Sequence, residues 1–356
     1  MVNNVNKEII NILKTLEKNN FKAYIVGGFV RDYFLGIDTF DVDITTDARP
    51  NELIKIFPTA KLDKNYGSIK IQIKNFNFDI TTLREEVYEC DKIKINYIND
   101  LEIDSLRRDF TINAIYMDRH LNVFDPQNGL IDLKNNVLKI IGNPNIRFIE
   151  DPLRILRTIR FITELNLDID DETKNAIEKN KKLLSKISHF KKKEELNKIF
   201  VKDTKLKGLE LIKQYKLEKH LELNYDNVSY TTSPLGIWAQ IKFSEKYPFT
   251  KQELKIIESI RECKEINNEY IYKHGLLISL IATEIKGINK KEVNNLYKNL
   301  PIKSQKDIKI NYKKIINLGY KEKEINDIIK SLEIKILNKT LKNNPLAIIK
   351  ELKQRK

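Results

Sequence analysis

The stretch from Tyr24 to Thr46, YIVGGFVRDYFLGIDTFDVDITT, sets Gly27 and Gly28 before Arg31 and then alternates Asp41 and Asp43 along a run of β-forming residues. Two carboxylates on one face of a strand repel each other unless a cation sits between them, and this is the geometry that holds Mg²⁺ for phosphoryl transfer. A strand that ends in glycines and opens a helix bares backbone amides that can cradle a triphosphate. Arg31 falls within the first turn of that helix. Each feature alone also fits a solvated strand or an ordinary turn, but this order and spacing point to nucleotidyl transfer.

A second group lies at SLRRDFTINAI, where Arg108 and Asp109 stand beside Asn113, with Phe110, Ile112 and Ile115 as anchors. The plain alternative is an amphipathic helix with a local ion pair. A third is EDPLRILRTIR, in which Asp151, Arg154, Arg157 and Arg160 recur every third residue along one helix face. Pro152 suits a first turn and Asp151 the N-cap. Cytosine and adenine both present an exocyclic amine donor next to a ring-nitrogen acceptor, whereas uracil and guanine reverse that pattern. A carboxylate beside a guanidinium complements the first pair. The competing reading is a capped helix with a solvated basic stripe.

The elements that must position these groups follow from periodicity. Val5, Ile9, Ile12, Leu13 and Leu16 have helical spacing, and Asn19-Asn20 ends that helix. KAYIVGG predicts a short strand, VRDYFLG a helix closed at Gly36, and DVDITT a strand with Val42 and Ile44 facing the core. SIKIQIK and FNFDITT predict a hairpin about Asn75, with Asp79 turned away from Phe78 and Ile80. DSLRRDFTINAIYMD reads as helical, LNVFD and LIDL as strands, and the mixed region closes near Gly142. From about 146 onward FIEDPLRILRTIRFITEL and its successors read as helix after helix with no further strand. The segment 224–236 is the best candidate for a long loop.

Composition narrows the class. A chain of 356 residues predicts about two to four packed units. The formal charge of +14 suits a polyanionic partner such as nucleic acid, although Lys- and Asn-rich composition contributes to it. Only 12 of the 64 basic residues are arginine, and ten of those lie between Arg31 and Arg160. Where lysine is the default cation, arginine marks positions that need a planar, permanently charged fork. Cys90 and Cys263 are isolated, which excludes a disulfide framework and a thiolate metal site and fits a reducing compartment. His120, His189, His220 and His274 form no catalytic or HExxH pair and read as surface or packing residues. The N-terminus lacks a basic segment followed by an apolar core, and the longest apolar run, GLLISLIA at 275–282, is far too short for a bilayer. The expectation is a cytoplasmic protein with no membrane association and no protein partner implied.

VGGFVRDYFLG followed by DVDITT resembles the head-domain signature of the polymerase β superfamily branch that holds class II tRNA nucleotidyltransferases and bacterial poly(A) polymerases. FDITTLREE is similar to that family's segment bearing a third carboxylate, RRDFTINA to its RRDFTxNA motif, FIEDPLRILRTIRF to its EDxxR motif, and KKEELNKIF at 192–200 to its next helical motif. The resemblance implies that Asp79 is the third carboxylate beside Asp41 and Asp43, which would hold Mg²⁺. It implies that Gly27, Gly28, Arg31 and Arg108 serve the triphosphate, with Asp109 and Asn113 in the same nucleotide-binding motif. Asp151 and Arg154, with Arg157 and Arg160 around them, would be a side-chain template selecting CTP and ATP.

There are departures. The segment REEVYECDKIKINYINDLEID keeps Arg84 but carries lysines where many relatives have arginines, and Lys and Glu occupy the usual Gly-Pro-rich turn of the tail. AKLDKNYGSIKIQI lacks the basic motif of poly(A) polymerases, and no His-Asp hydrolase extension follows. The expected architecture is α+β: a mixed α/β nucleotidyltransferase head over 1–142, a helical neck with the nucleotide-recognition motif over 143–200, and a helical body and tail over 201–356 that binds tRNA. The expected activity is template-independent addition of CMP and AMP to the tRNA 3′ end. A CC-adding or A-adding partial enzyme, or a poly(A) polymerase, is the alternative. A retired scaffold that only binds RNA has no need of the intact Gly27-Gly28, Asp41, Asp43 and Arg108 set. A transferase acting on small acceptors has no use for a long basic helical half.

Overall fold

The computed structural model describes residues 5–63, 67–89 and 92–355; Cys90 lies outside them. Helix α1, Lys7–Lys18, opens with the Asn6 side chain accepting from the Glu8 amide and buries Ile9, Ile12, Leu13 and Leu16. Strand β1, Ala23–Val26, runs into Gly27, whose φ of +74° suits a residue without a Cβ, and then into helix α2, Gly28–Leu35, which ends at left-handed Gly36. Strand β2 is Asp41–Thr46, α3 is Pro50–Ile56, β3 is Lys61–Asp63, and β4, Ser68–Ile73, and β5, Phe76–Thr82, form the expected hairpin. A separate antiparallel ribbon pairs β6, Arg84–Glu89, with β7, Lys92–Tyr97. Among the described residues the main sheet runs β3-β4-β5-β2-β1-β8-β9, with β8 at Tyr116–Met117 and β9 at Val123–Phe124. Val42, Ile44, Phe78, Ile80, Ile115 and Met117 pack with α1 and α2 into one core, which leaves Asp41 and Asp43 on the opposite face.

Four expectations need correction. DSLRRDFTINAIYMD is not one helix: α4, Leu101–Leu106, stops before Arg107, a single 3₁₀ turn covers Thr111–Asn113, and β8 follows. The Asp109 side chain accepts from the Phe110 amide, and Phe110 bridges to Ile140. Residues 110–117 are all buried, so no polar stripe is available to a surface helix. LIDL is not a strand but part of α5, Gly129–Lys134, because the Asp125 carboxylate accepts from the amides of Gly129 and Leu130 and so caps a helix start. The run from 146 to 164 breaks into α6, Pro144–Glu150, and α7, Leu153–Glu164, at extended Asp151, since the residue before a proline is crowded out of the helical region. Strands also return. β10, Val137–Leu138, pairs in parallel with β11, Asp168–Ile169, ahead of α8, Asp171–Asn180, and Leu223–Asn224 pairs with Lys242–Phe243. Two-residue strands are too short for alternation to register.

The chain packs as two compact units, Met1–Glu195 with Leu211–Leu221, and Leu196–Glu210 with Glu222–Lys356. In the second unit Trp238 is enclosed by Phe200, Phe243, Tyr247 and Phe249 and donates to Asn197. A second core gathers Ile271, Ile315, Ile325, Leu332, Ile336, Ile348 and Leu352. Of the loop anticipated over 224–236, only 225–233 is irregular: Asn224 lies in a two-residue strand and Pro234 opens a helix that runs to Gln240. Among the described residues no helix is long and apolar enough to cross a membrane, and Cys263 is a buried free thiol.

Candidate active site

The first unit contains an open cavity of about 430 Å³. Gly27, Gly28, Arg31 and Asp43 line it from the β1–α2 turn and β2, Arg107, Arg108, Asp109 and Asn113 from the segment after α4, and Asp151, Arg154, Arg157, Arg160 and Phe161 from α7 and its approach. Sequence separation therefore collapses here. All ten nucleotide-binding residues expected from sequence lie on this wall. Of the three expected carboxylates only Asp43 does, because Asp41 and Asp79 line an adjoining hollow that Asp43 also borders.

The glycine turn is required by contact as well as by torsion. A Cβ on Gly27 would lie 2.7 Å from Asp43 Oδ2, so the turn and the carboxylate can be adjacent only if residue 27 has no side chain. β2 and β5 pair in parallel with Asp43 opposite Asp79 and Asp41 opposite Asn77, whose amide donates to Asp41 Oδ1 at 2.9 Å. Asp43 is open to water through the cavity yet has protein around most of it. That partial desolvation is the largest influence on its carboxyl and pushes it above the ordinary carboxylate range. Arg108 pulls it back, Asp79 and Asp41 add like-charge repulsion, and Arg31 opposes them.

The arginines are held by a continuous network. Arg31 pairs with Asp32 and donates to Asn113 Oδ1 at 2.8 Å; Asn113 donates to Asp109 at 3.2 Å; and Asp109 pairs with Arg157. The partner of Asp109 is thus Arg157, 48 residues away, and not the neighbouring Arg108, which makes its own local pair with Asp104. Burial acts to raise the Asp109 carboxyl, but Arg157, Asn113 and the Phe110 amide outweigh it and hold it far below its usual range. Arg157 is raised in turn, chiefly by Asp109. Arg160 pairs with Glu195, and the Arg31, Arg157 and Arg160 guanidinia all lie against the Phe161 ring, at 5.2, 5.9 and 4.2 Å from its centre.

Arg154 is only 5% exposed and donates to the Arg147 carbonyl at 3.1 Å, to Glu150 at 3.3 Å and to the Arg107 carbonyl at 3.4 Å, while Asp151 Oδ1 accepts from the Leu153 amide at 3.1 Å. Arg154 and Arg160 are thus not solvated, while Arg157 keeps about a third of its side chain exposed and is held by Asp109. Asp151 does cap the start of α7, and the cap also faces the cavity.

Sequence reasoning missed several supporting residues. Asp104, 0% exposed, binds Arg107 and Arg108 and accepts from Tyr116 Oη at 2.8 Å. Burial opposes the charge on Arg108, but Tyr116 and Asp104 outweigh that and keep it firmly protonated. The i, i+3 and i, i+4 spacing of Asp104 to Arg107 and Arg108 was the available signal. Arg147 donates to the Arg107 and Arg108 carbonyls at 2.9 and 2.8 Å, and no local spacing announces that.

Residues 23–139 match the family model described as the poly A polymerase head domain, 166–226 the "Probable RNA and SrmB-binding site of polymerase A", and 237–352 domain 2 of tRNA nucleotidyltransferases. A CCA-adding enzyme of Ligilactobacillus salivarius is 31% identical, over 98% of this chain and 96% of its own length. The chain belongs to the CCA-adding enzyme family. A second CCA-adding enzyme, from Bacillus licheniformis, is also 31% identical, over 95% of both chains. The solved Bacillus stearothermophilus CCA-adding enzyme in complex with CTP shares the fold at a TM-score of 0.86 and 24% identity, covering 98% of this chain and 97% of its own. The Thermotoga maritima CCA-adding enzyme complexed with tRNA superimposes at 0.72 and 20% identity, over 100% and 97%. As a member of the CCA-adding enzymes the protein is a nucleotidyltransferase, and enzymes of this class use divalent metal ions.

Proposed function

We propose that the protein adds CMP, CMP and AMP to the 3′ end of tRNA from CTP and ATP, without a nucleic-acid template and with release of pyrophosphate, in the cytoplasm. The observation that carries this reading is the single cavity in which the Gly27-Gly28 turn, Asp43 and the arginines of α7 converge, in a chain of CCA-adding ancestry. The Gly27-Gly28 turn, Arg31 and Arg108 bind the triphosphate and orient the α-phosphorus toward Asp43. Asp151 accepts from the exocyclic amine of cytosine or adenine, and Arg154 donates to the neighbouring ring nitrogen. Asp109 and Asn113 hold Arg157 and Arg31 in place rather than touch the base. The 3′-hydroxyl attacks in line, and the arginine cluster stabilises the charge that gathers on pyrophosphate. On this reading 1–142 is the catalytic head, 143–200 the recognition neck and 201–356 the tRNA-binding body and tail.

Asp41 and Asp43, with Asp79 as third carboxylate, fit Mg²⁺. They are hard oxygen donors on one sheet face, and the like-charge repulsion on Asp43 is what a cation relieves. Among the described residues no three His, Cys, Asp or Glu side chains already converge as a ligand cage. Mg²⁺ takes one or two carboxylates and completes its shell with water and substrate phosphates, so such a cage is not required. When bound, the ion lowers the pKa of the primer hydroxyl and neutralises triphosphate charge.

The test is to incubate tRNA transcripts ending before the first C, after it and after the second C with CTP, ATP or both, and to sequence the 3′ ends. All three should finish in CCA. Products that stop at CC, need CC beforehand, or continue as an A tract would assign a partial enzyme or a poly(A) polymerase instead. Asp41→Ala and Asp43→Ala should abolish CMP and AMP incorporation alike while tRNA binding survives.

A further inference from the structure

The sheet face bearing the carboxylates also bears a matched set of cations. Across four adjacent strands, Asp43 of β2 lies opposite Asp79 of β5, Asp79 opposite Lys70 of β4, and Lys70 opposite Lys61 of β3. Side chains in register share a face, so one row reads carboxylate, carboxylate, ammonium, ammonium. The next row reads Asp41, Asn77, Gln72. These rows line a hollow of about 710 Å³ whose lining has only Asp43 in common with the arginine-rich cavity. Asp43 therefore borders both chambers, one walled by arginines and the other edged by lysines, and a third hollow of about 340 Å³ joins Asp43, Asp79 and Lys70 to Arg84, Arg107 and Arg108.

In-line transfer fixes what each chamber can hold. Nucleophile and leaving group must lie on opposite sides of the α-phosphorus. With the triphosphate on the glycine and arginine side, the strand carrying the 3′-hydroxyl has to approach from the other side, across β5 and β4. Lys70 starts two strand spacings from Asp43, roughly 10 Å, a gap of the order of one nucleoside. Its ammonium lies 3.6 Å from Asp79 Oδ2, with the lysine side chain 64% exposed. An exposed pair of this kind is weak and readily exchanged. Lys61 directly opposite Lys70 is an unfavourable like-charge pair that an anion would relieve.

We propose that Lys70, backed by Lys61, grips the last internucleotide phosphate of the acceptor strand in the hollow across Asp43 from the nucleotide cavity, with Asp79 holding the lysine until the strand arrives. This rests on the proposed polynucleotide acceptor and adds the residue that positions its end. Exchange of Lys70 from Asp79 to phosphate leaves the Asp79 carboxylate free at the moment the acceptor is seated.

The experiment is a binding cycle on the full-length protein. An RNA acceptor hairpin is made with its last phosphodiester either native or replaced by a neutral methylphosphonate, and its Kd is measured without nucleotide for the wild type, Lys70→Ala, Lys70→Arg and Lys61→Ala, with acceptor and CTP KM values alongside. Lys70→Ala should weaken acceptor binding about three- to tenfold, the scale of one partly exposed charge-assisted contact, and leave the CTP KM and the melting temperature unchanged. Lys70→Arg should recover most of the loss, and Lys61→Ala should show a smaller loss of the same kind. The methylphosphonate should weaken the wild type by a similar factor and Lys70→Ala no further. Losses that multiply, or a change in CTP KM without one in acceptor Kd, would overturn the assignment. The Kd cycle needs no turnover, so a wild type that binds the hairpin but fails to extend it would refute the proposed function while the cycle still reads the grip.

Discussion

At the residue scale the decisive pair is Asp151 and Arg154, because their environments separate two roles that the sequence leaves entangled. Asp151 makes one capping bond, to the Leu153 amide, whereas Arg154 is buried and serves two carbonyls and Glu150. Asp151→Ala should therefore cost about 1 kcal/mol of stability, the scale of a lost cap, while letting UTP or GTP compete. Removing the carboxylate penalises the correct bases and relieves the wrong ones. Arg154→Ala should lose the same discrimination and also a larger share of the melting temperature, since it strands buried acceptors. The measurement is the ratio of kcat/KM for CTP and ATP over UTP and GTP, taken with the melting temperature of each variant. An unchanged ratio in Asp151→Ala would reduce the residue to a cap.

At the scale of elements, the Asp109–Arg157 pair joins the segment after α4 to α7 and sets an acid limit on that junction. Asp109 titrates well below the range of an unfolded aspartate, about 3.9. An acid depressed in the fold stabilises it above the unfolded pKa, and that contribution is lost as pH falls through the folded value. Asp109→Asn should lower the melting temperature at pH 7 and flatten its decline below about pH 5, where the unfolded wild-type chain begins to take up the proton that folded Asp109, paired with Arg157, does not accept. Parallel acid limbs in both proteins would mean that Asp109 does not lock the junction. The glycine turn is a second element-scale constraint: Gly27→Ala combines a Cβ 2.7 Å from Asp43 Oδ2 with a φ of +74°. Nucleotide incorporation by that variant should fall at least tenfold, with α1 and the sheet core intact by circular dichroism.

At the scale of the whole molecule the question is whether a formal charge of +14 is composition or grip. If the lysine-rich helices neutralise tRNA phosphates, log Kd should rise linearly with log salt, by about 0.7 to 0.9 for each phosphate contacted. Titration between roughly 50 and 200 mM salt, where several contacts change affinity by orders of magnitude, gives that number. A flat response would assign the charge to amino-acid usage.

What the chain wrote locally could be read locally. The order of Gly27-Gly28, Arg31, Asp41 and Asp43, the β4–β5 hairpin, and the spacing of Asp151 to Arg160 depend on neighbours a few residues apart, and period and turn chemistry report such relations directly. Tertiary structure decided which charges meet. Arg31 finds Asn113 across 82 residues and Arg157 finds Asp109 across 48, Arg147 reaches the carbonyls of Arg107 and Arg108, and Lys61, Lys70, Asp79 and Asp43 fall into one row. It also decided that residues 110–117 would be buried without a polar face and that β10 would pair with β11. A side chain's periodicity records how it sits on its own element. Its partner is chosen only when loops close and distant elements exclude water together, which no local spacing encodes.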